Sequence, residues 1–327
     1  MGAFIFDTNL KIEFFQVFRY NSGMKILAIE TSCDDTGIAI IKISGNKKSP
    51  NFNVLSNIVS SQIEVHKQYG GVYPLMAKRE HEKNLAPTLE VALKEAKVLL
   101  KDIDLIAVTS GPGLEPCLWV GVNFAKNLAQ KLNIPLVAVN HIEAHILVNL
   151  LENPKIKFPA IALVVSGGHT QLILMKSIEN YKILGETRDD AAGECFDKCA
   201  KILGLGYPGG PIISQLATKF GGCRTKFGGC RTSQELKLPR PMIYTKDYDF
   251  SFSGLKTAVL YADRRVKNKT KQYKQEMAAE VQQAIIDVLI KKTLKAVKNF
   301  KVKTIILGGG VTANKELRKQ FKEKLEN

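Results

Sequence analysis

The sequence predicts an α/β protein assembled from two similar halves, and three observations carry that expectation. A chain of 327 residues, at roughly 150 residues per domain, has room for about two domains or one domain built twice. Two of its segments share one layout: Ile26 to Ile29, Glu30-Thr-Ser-Cys-Asp-Asp-Thr-Gly37, Ile38 to Ile41; and Ile161 to Val165, Ser166-Gly-Gly-His-Thr-Gln171, Leu172 to Met175. Each reads as a β-hairpin around a turn of small and hydroxyl residues. Two further segments, Leu105 to Ser110 with Gly111-Pro-Gly113 and Thr304 to Leu307 with Gly308-Gly-Gly310, each read as strand, glycine loop, helix.

The first half continues from its glycine loop into a helix over Leu118 to Leu132, a strand over Ile134 to Val139 and a helix opening at His141. The hairpins are 135 residues apart (Ile26 to Ile161) and the glycine loops 199 (Leu105 to Thr304), so the second half carries about 64 additional residues. These are expected as an insertion within 176–300. The second half reaches only its first helix after the glycine loop, so it is expected to lack a last strand and helix. The expected layout is an N-terminal extension over 1–23 with Met24 as a start, a first half over 24–155 and a second over 156–327. Within the insertion, Lys219-Phe-Gly-Gly-Cys-Arg-Thr225 recurs unchanged as Lys226 to Thr232. Two copies cannot stack into a solenoid, and the repeat reads as a duplication in a tolerant surface loop. Arg264 to Gln275 reads as an exposed loop or helix end.

Apolar residues at 45% and charged residues at 24% fit a globular protein and exclude a disordered or collagen-like chain. No apolar run approaches the ~18 residues of a membrane span. Asp7, Lys11 and Glu13 interrupt the first 23 residues, so no secretory signal is expected there. Six cysteines without CxxC pairs fit free thiols in a reducing compartment, so the expected location is cytoplasmic, with no membrane partner. Cys195 and Cys199, one helical turn apart, read as small buried residues. The formal charge is +16, and from Leu255 onward 18 Lys and Arg face 7 Asp and Glu, an excess of 11. That local excess favours a polyanionic partner.

Four elements carry chemistry. Hairpin turns facing each other across a cleft can grip a phosphate with backbone N–H groups and hydroxyls. In Ser166-Gly167-Gly168 the missing Cβ atoms are expected to permit positive φ and close approach of an anion. Gly308-Gly309-Gly310, with Asn314 in the following turn, makes a second close-approach site suited to a nucleoside. Asp197 and Gly210 fall where a helix gives way to a glycine-punctuated turn, and a carboxylate there can accept ribose hydroxyls. His141-Ile-Glu-Ala-His145 places two imidazoles at i and i+4 on one helical face, the spacing that lets both reach one metal ion. In the zinc-protease pattern HExxH the Glu directly follows the first His; Ile142 stands there, and Glu143 points off the shared face. A third ligand is not identified from the residues.

These residues together resemble the tRNA N6-threonylcarbamoyladenosine transferases, the TsaD family once described as O-sialoglycoprotein endopeptidases. The resemblance runs from Met24 to about Phe321. It rests on Glu30 to Gly37, Gly111 to Leu114, the HxExH at His141, Val165 to Gln171, Asp189-Asp-Ala-Ala-Gly-Glu-Cys-Phe-Asp-Lys198, Tyr207-Pro-Gly-Gly-Pro211, Asp249-Phe-Ser-Phe-Ser-Gly-Leu-Lys256 and Gly308 to Asn314. It implies an actin-like, Hsp70-like ATPase (ASKHA) fold of two RNase-H-like subdomains flanking a nucleotide cleft. It also implies an acyltransferase that moves the threonylcarbamoyl group of L-threonylcarbamoyl-AMP onto N6 of the adenosine beside the anticodon of ANN-decoding tRNAs. By the family pattern His141 and His145 bind one Fe2+ or Zn2+ ion. Val164, Val165, Ser166, Gly167 and Gly168 contact the phosphate and carbamoyl part, and Asp197, Gly210 and Asn314 hold the nucleoside. Asp34, in the first hairpin turn, is the expected catalytic polar group.

Ala144 stands where the family has Gly, and Leu75 where it has Glu. The family's remaining metal ligand, an Asp in a Thr-Asp-Asn-Gly-like segment, follows the last matched motif and has no counterpart through Asn327. The alternatives are a silent family member scaffolding the modification complex, a metallopeptidase disfavoured by HxExH, and a sugar kinase on the same fold. The expected partners are tRNA, on Lys291, Lys292 and Lys295, and the paralogous and ATPase subunits of the transfer complex, a paralogous subunit being suited to helix faces near Tyr69 to Lys83 and Leu85 to Leu100.

Overall fold

The computed structural model describes residues 23–46, 49–153, 156–220 and 236–326. It is an α/β protein with two sheets and divides into two compact units, one of residues up to 61 plus 74–139, the other of residues 62–73 plus 140–327. The extension over 1–22 and most of the tandem repeat, 221–232, lie outside the described residues.

The first unit is built on β1 (Lys25–Glu30), β2 (Asp35–Asn46), β3 (Ser49–Ser61), β4 (Leu105–Gly111) and β5 (Leu136–Asn140), in the order β3-β2-β1-β4-β5. β1 pairs antiparallel with β2, Ile29 opposite Ile38, and parallel with β4, Ile26 opposite Leu105. Two of its helices, Pro74–Ala96 and Glu115–Leu132, pack on the sheet. Leu27, Ile29, Ile38 and Ile40 are buried with Leu85, Leu89, Ile106 and Ala125 in one core. The second of these helices begins three residues before the expected Leu118, because Pro116 needs no N–H partner in a first turn.

The second unit repeats the scheme with β6 (Ala160–Val165), β7 (Thr170–Met175), β8 (Tyr181–Glu186) and β9 (Thr304–Gly308), in the order β8-β7-β6-β9. β6 pairs antiparallel with β7 and parallel with β9, as β1 does with β2 and β4. Every residue of β6 is buried. Ile161, Leu163 and Val165 join one core, and Ala160, Ala162 and Val164 join another on the opposite face. The larger core is organised by a 30-residue helix, Lys271–Phe300, buried on most of its circumference from Met277 to Ile290. A helix buried on most sides is one that other elements surround; here Ala192–Ile202, Gly209–Lys219 and Ser253–Arg265 pack against it.

The division falls at 139/140, not at the expected 155/156, and it takes the two histidines with the second unit. The reason is packing. β5 runs directly into the helix His141–Leu147, whose Ile142 and Ile146 are buried against Ala160, Ala162, Val164, Ile173 and Ile306.

Candidate functional site

The histidine helix is fixed at its start by Asn140, whose Oδ1 accepts from the N–H groups of Ile142 (2.8 Å) and Glu143 (3.2 Å). With Ile142 and Ile146 committed to the core, His141 and His145 emerge half-buried on the adjoining face. Their rings meet edge to face with centroids 4.5 Å apart. Glu143 is held by the Tyr181 hydroxyl, whose pKa burial and this carboxylate push up to about 12. The glutamate is thereby engaged away from the pair, as its position in HxExH predicts.

The turn after β6 lies in the same neighbourhood. Ser166 N–H donates to the His169 carbonyl (2.8 Å), and His169 N–H donates to Ser166 Oγ (3.1 Å). The His169 ring stands 6.0 Å from that of His141, and burial, reinforced by His141, lowers its pKa. His169 was not singled out from the sequence; its 28-residue separation from His141 leaves no local spacing to read.

Neither Gly167 nor Gly168 has a positive φ, which corrects the expected reason for their presence. A Cβ at either would meet nothing within 4 Å, so these glycines leave the backbone of an exposed turn uncovered. Close approach is demanded elsewhere around the turn. A Cβ on Gly193 would stand 2.5 Å from the Ser166 carbonyl oxygen, one on Gly308 2.6 Å from that of His145, and one on Gly309 (φ +87°) 2.4 Å from that of Val165. These three contacts gather the histidine helix, the end of β6, the Ser166 turn, the end of β9 and the helix Ala192–Ile202. Val164 and Val165 have fully buried side chains, so neither side chain is open to a ligand.

Asp197 and Gly210 sit at the meeting of two helices. Asp197 Oδ1 accepts from Gly209 N–H (2.7 Å), tying Ala192–Ile202 to the start of Gly209–Lys219. Asn314 caps the helix Lys315–Glu326, its Oδ1 accepting from Glu316 N–H (3.0 Å) and Leu317 N–H (3.1 Å), while its amide donates to Gln282 Oε1 (2.8 Å). Both residues therefore have structural work within the fold.

Two quoted motifs prove to be bound together. Asp189 accepts from the N–H groups of Phe252 (2.8 Å) and Ser253 (3.2 Å) and from the hydroxyls of Ser251 and Ser253 (both 2.6 Å). Partial burial opposes its charge, yet these donors hold its pKa below the ordinary carboxylate value. Cys195 and Cys199 are both buried with sulfurs 3.9 Å apart.

Asp34 lies in the first unit, in the β1–β2 turn. Around it Glu30 accepts from Ser32 N–H and the Thr109 hydroxyl. The fully buried His81 donates from Nε2 to the Cys33 carbonyl (3.0 Å), which leaves Nδ1 to accept from the Thr36 hydroxyl (2.7 Å). Burial lowers the His81 pKa and favours this neutral form. The lysine expectation needs correction. Lys292 is 1% exposed, with Nζ donating to Thr245 Oγ1 (2.7 Å), and Lys295 donates to the Thr245 and Asp247 carbonyls (3.0 and 3.2 Å). Lys291 alone of the three is exposed.

Two imidazoles on one face supply nitrogen donors suited to a borderline ion such as Zn2+ or Fe2+. Among the described residues, no group of three or more His, Cys, Asp or Glu is gathered closely enough to hold an ion. Among the described residues, too, no helix is long and apolar enough to cross a membrane.

Full-length HypF in its phosphate- and nucleotide-bound form superposes with a TM-score of 0.51 at 12% identity, covering 94% of this chain and 52% of that one; the likeness is one of fold. The tRNA N6-adenosine threonylcarbamoyltransferase of Syntrophomonas wolfei is 49% identical over 299 residues, 91% of this chain and 83% of its own. That of Persephonella marina is 48% identical over 307 residues, 93% and 82% of the two chains. Residues 53–327 match the family described as TsaD, tRNA N6-adenosine threonylcarbamoyltransferase. Motifs, duplicated topology and relatives agree, and the chain belongs to the tRNA N6-adenosine threonylcarbamoyltransferase family.

Proposed function

We propose that this chain is the acyltransferase that moves a threonylcarbamoyl group from threonylcarbamoyl-AMP to N6 of the adenosine beside the anticodon in ANN-decoding tRNA. The observation that carries the reading is the edge-to-face histidine pair packed beside the Ser166 turn in the second unit. In the reaction the N6 amine attacks the carbamoyl carbon and a C–N bond forms. The bond from that carbon to the phosphate oxygen breaks, AMP leaves with the electron pair, and N6 gives up one proton.

His141 and His145 hold one Fe2+ or Zn2+ ion in this reading. When bound, the ion supplies a Lewis acid that polarises a carbonyl oxygen. The backbone of Val164 to Gly168 receives the phosphate and carbamoyl part, with the Ser166 hydroxyl and uncovered amides as donors to developing negative charge. Asp197, Gly210 and Asn314 hold the nucleoside, and Asp34, in the hairpin turn of the first unit, is the proposed catalytic polar group. The two halves are the RNase-H-like subdomains of an actin-like ATPase fold. Paralogous and ATPase subunits of the transfer complex are the expected protein partners, and the exposed, stacked Tyr69 and Tyr73 (centroids 5.4 Å) offer an apolar contact for one of them.

Metal titration followed by elemental analysis tests the central pair. Wild type is expected to retain about one iron or zinc per chain, and His141→Ala and His145→Ala each to bind at least about tenfold more weakly. Equal retention by all three proteins would overturn the assignment.

A further inference from the structure

The loop from Tyr244 to Asp249 is held from behind by an unusual investment of charge. Lys292 is withdrawn from water to reach Thr245 Oγ1 (2.7 Å) and Asp247 Oδ1 (3.3 Å). Lys295 adds bonds to the carbonyls of Thr245 (3.0 Å), Lys246 (2.5 Å) and Asp247 (3.2 Å). Arg188 bridges Asp247 (3.1 Å) and Asp249 (2.8 Å). Burying an ammonium is costly unless it is well bonded, and here the bonding fixes an exposed loop.

In front of this latch the loop presents an aromatic ring to solvent. Tyr244 is 83% exposed, and the Lys291 ammonium lies 4.1 Å from its ring centroid. The Lys295 ammonium stands 5.1 Å from the Tyr248 ring, which meets the 38%-exposed Phe300 at 6.1 Å. Lys291, Lys295 and Lys298 recur at i, i+4 and i+7, one face of the long helix, and Lys246 adds an exposed cation on the loop. Arg188 and Lys292 together balance the two carboxylates of the loop, Asp247 and Asp249, which leaves Lys246, Lys291, Lys295 and Lys298 to set the charge of the patch.

We infer that Tyr244 and its lysines form a stacking platform for an unpaired base of RNA, held in shape by the Lys292–Lys295 latch. Lysine is depleted at protein–protein interfaces, whereas rigid aromatics interleaved with cations suit single-stranded nucleic acid, whose bases offer a face and whose phosphates offer charge. Duplex RNA hides its base faces, so the occupant is a loop or end. The inference rests on the reading that this chain acts on tRNA.

The test is binding of an unmodified ANN-decoding tRNA transcript by the full chain, with a blunt RNA duplex of equal length as competitor. Tyr244→Ala is expected to weaken tRNA binding about tenfold and Tyr244→Phe to bind as wild type. Lys291→Ala is expected to lower the steepness of the salt dependence by about one, and the duplex to compete poorly. Tyr244→Ala binding tRNA as tightly as wild type overturns the platform while leaving transfer to tRNA standing, even if the patch proves to hold a protein subunit. Wild type that neither binds nor modifies tRNA overturns the underlying reading and the platform with it.

Discussion

Gly309 and Gly310 are neighbours in sequence, and the structure assigns them opposite sensitivities to the same methyl group. Gly309 has φ +87° and ψ 158°, a region essentially restricted to glycine and costing about 1–3 kcal/mol for any other residue. Its added Cβ would also lie 2.4 Å from the Val165 carbonyl oxygen, an overlap relieved only by backbone movement, at about 1–3 kcal/mol more. Gly309→Ala is therefore expected to destabilise the second unit by about 2–6 kcal/mol. At a urea slope of ~3 kcal/mol/M that lowers the midpoint by about 0.7–2 M. Gly310→Ala meets nothing within 4 Å and has no positive φ, so its stability should stay within about 0.5 kcal/mol of wild type. Because Val165 leads directly into the Ser166 turn, Gly309→Ala should also lose transfer activity at temperatures where it is folded. Equal midpoints for the two variants would refute the close-packing argument.

Asn140→Ala removes the acceptor for two N–H groups at the start of the histidine helix and should cost about 1 kcal/mol, read from the urea midpoint; an unchanged midpoint would show that the cap is idle. Asp189 predicts a pH dependence. Its folded pKa lies below the ordinary value, so its stabilising effect is present above about pH 4 and is lost as the pH falls through the lowered folded value. Asp189→Asn should be less stable than wild type at pH 7 and converge with it in acid, as followed by thermal melts across pH. Parallel curves for the two proteins would contradict this.

The duplication was legible because it is written in local signals. Short apolar runs on either side of a small-residue turn define β1–β2 and β6–β7, and a strand followed by glycines and a helix defines β4 and β9. The histidine spacing is equally local, and the rings are in contact. What escaped is non-local or concealed by residue type. His169 reaches His141, and Asp189 reaches Ser251 and Ser253, across separations that carry no periodicity. Lys292 reads as surface charge by its chemistry, yet the fold places it inside because Thr245 and Asp247 supply its acceptors. Gly167 and Gly168 look like positive-φ residues by composition, while the positive φ falls at Gly309, where the backbone of Val165 passes closest.

The transfer itself is tested most directly by quantifying modified nucleosides in tRNA from cells depleted of this protein and complemented with wild type or His141→Ala. Depletion should remove threonylcarbamoyladenosine from ANN-decoding tRNAs, wild type should restore it, and His141→Ala should not. Full threonylcarbamoyladenosine after depletion, or full restoration by the histidine variant, would contradict the account.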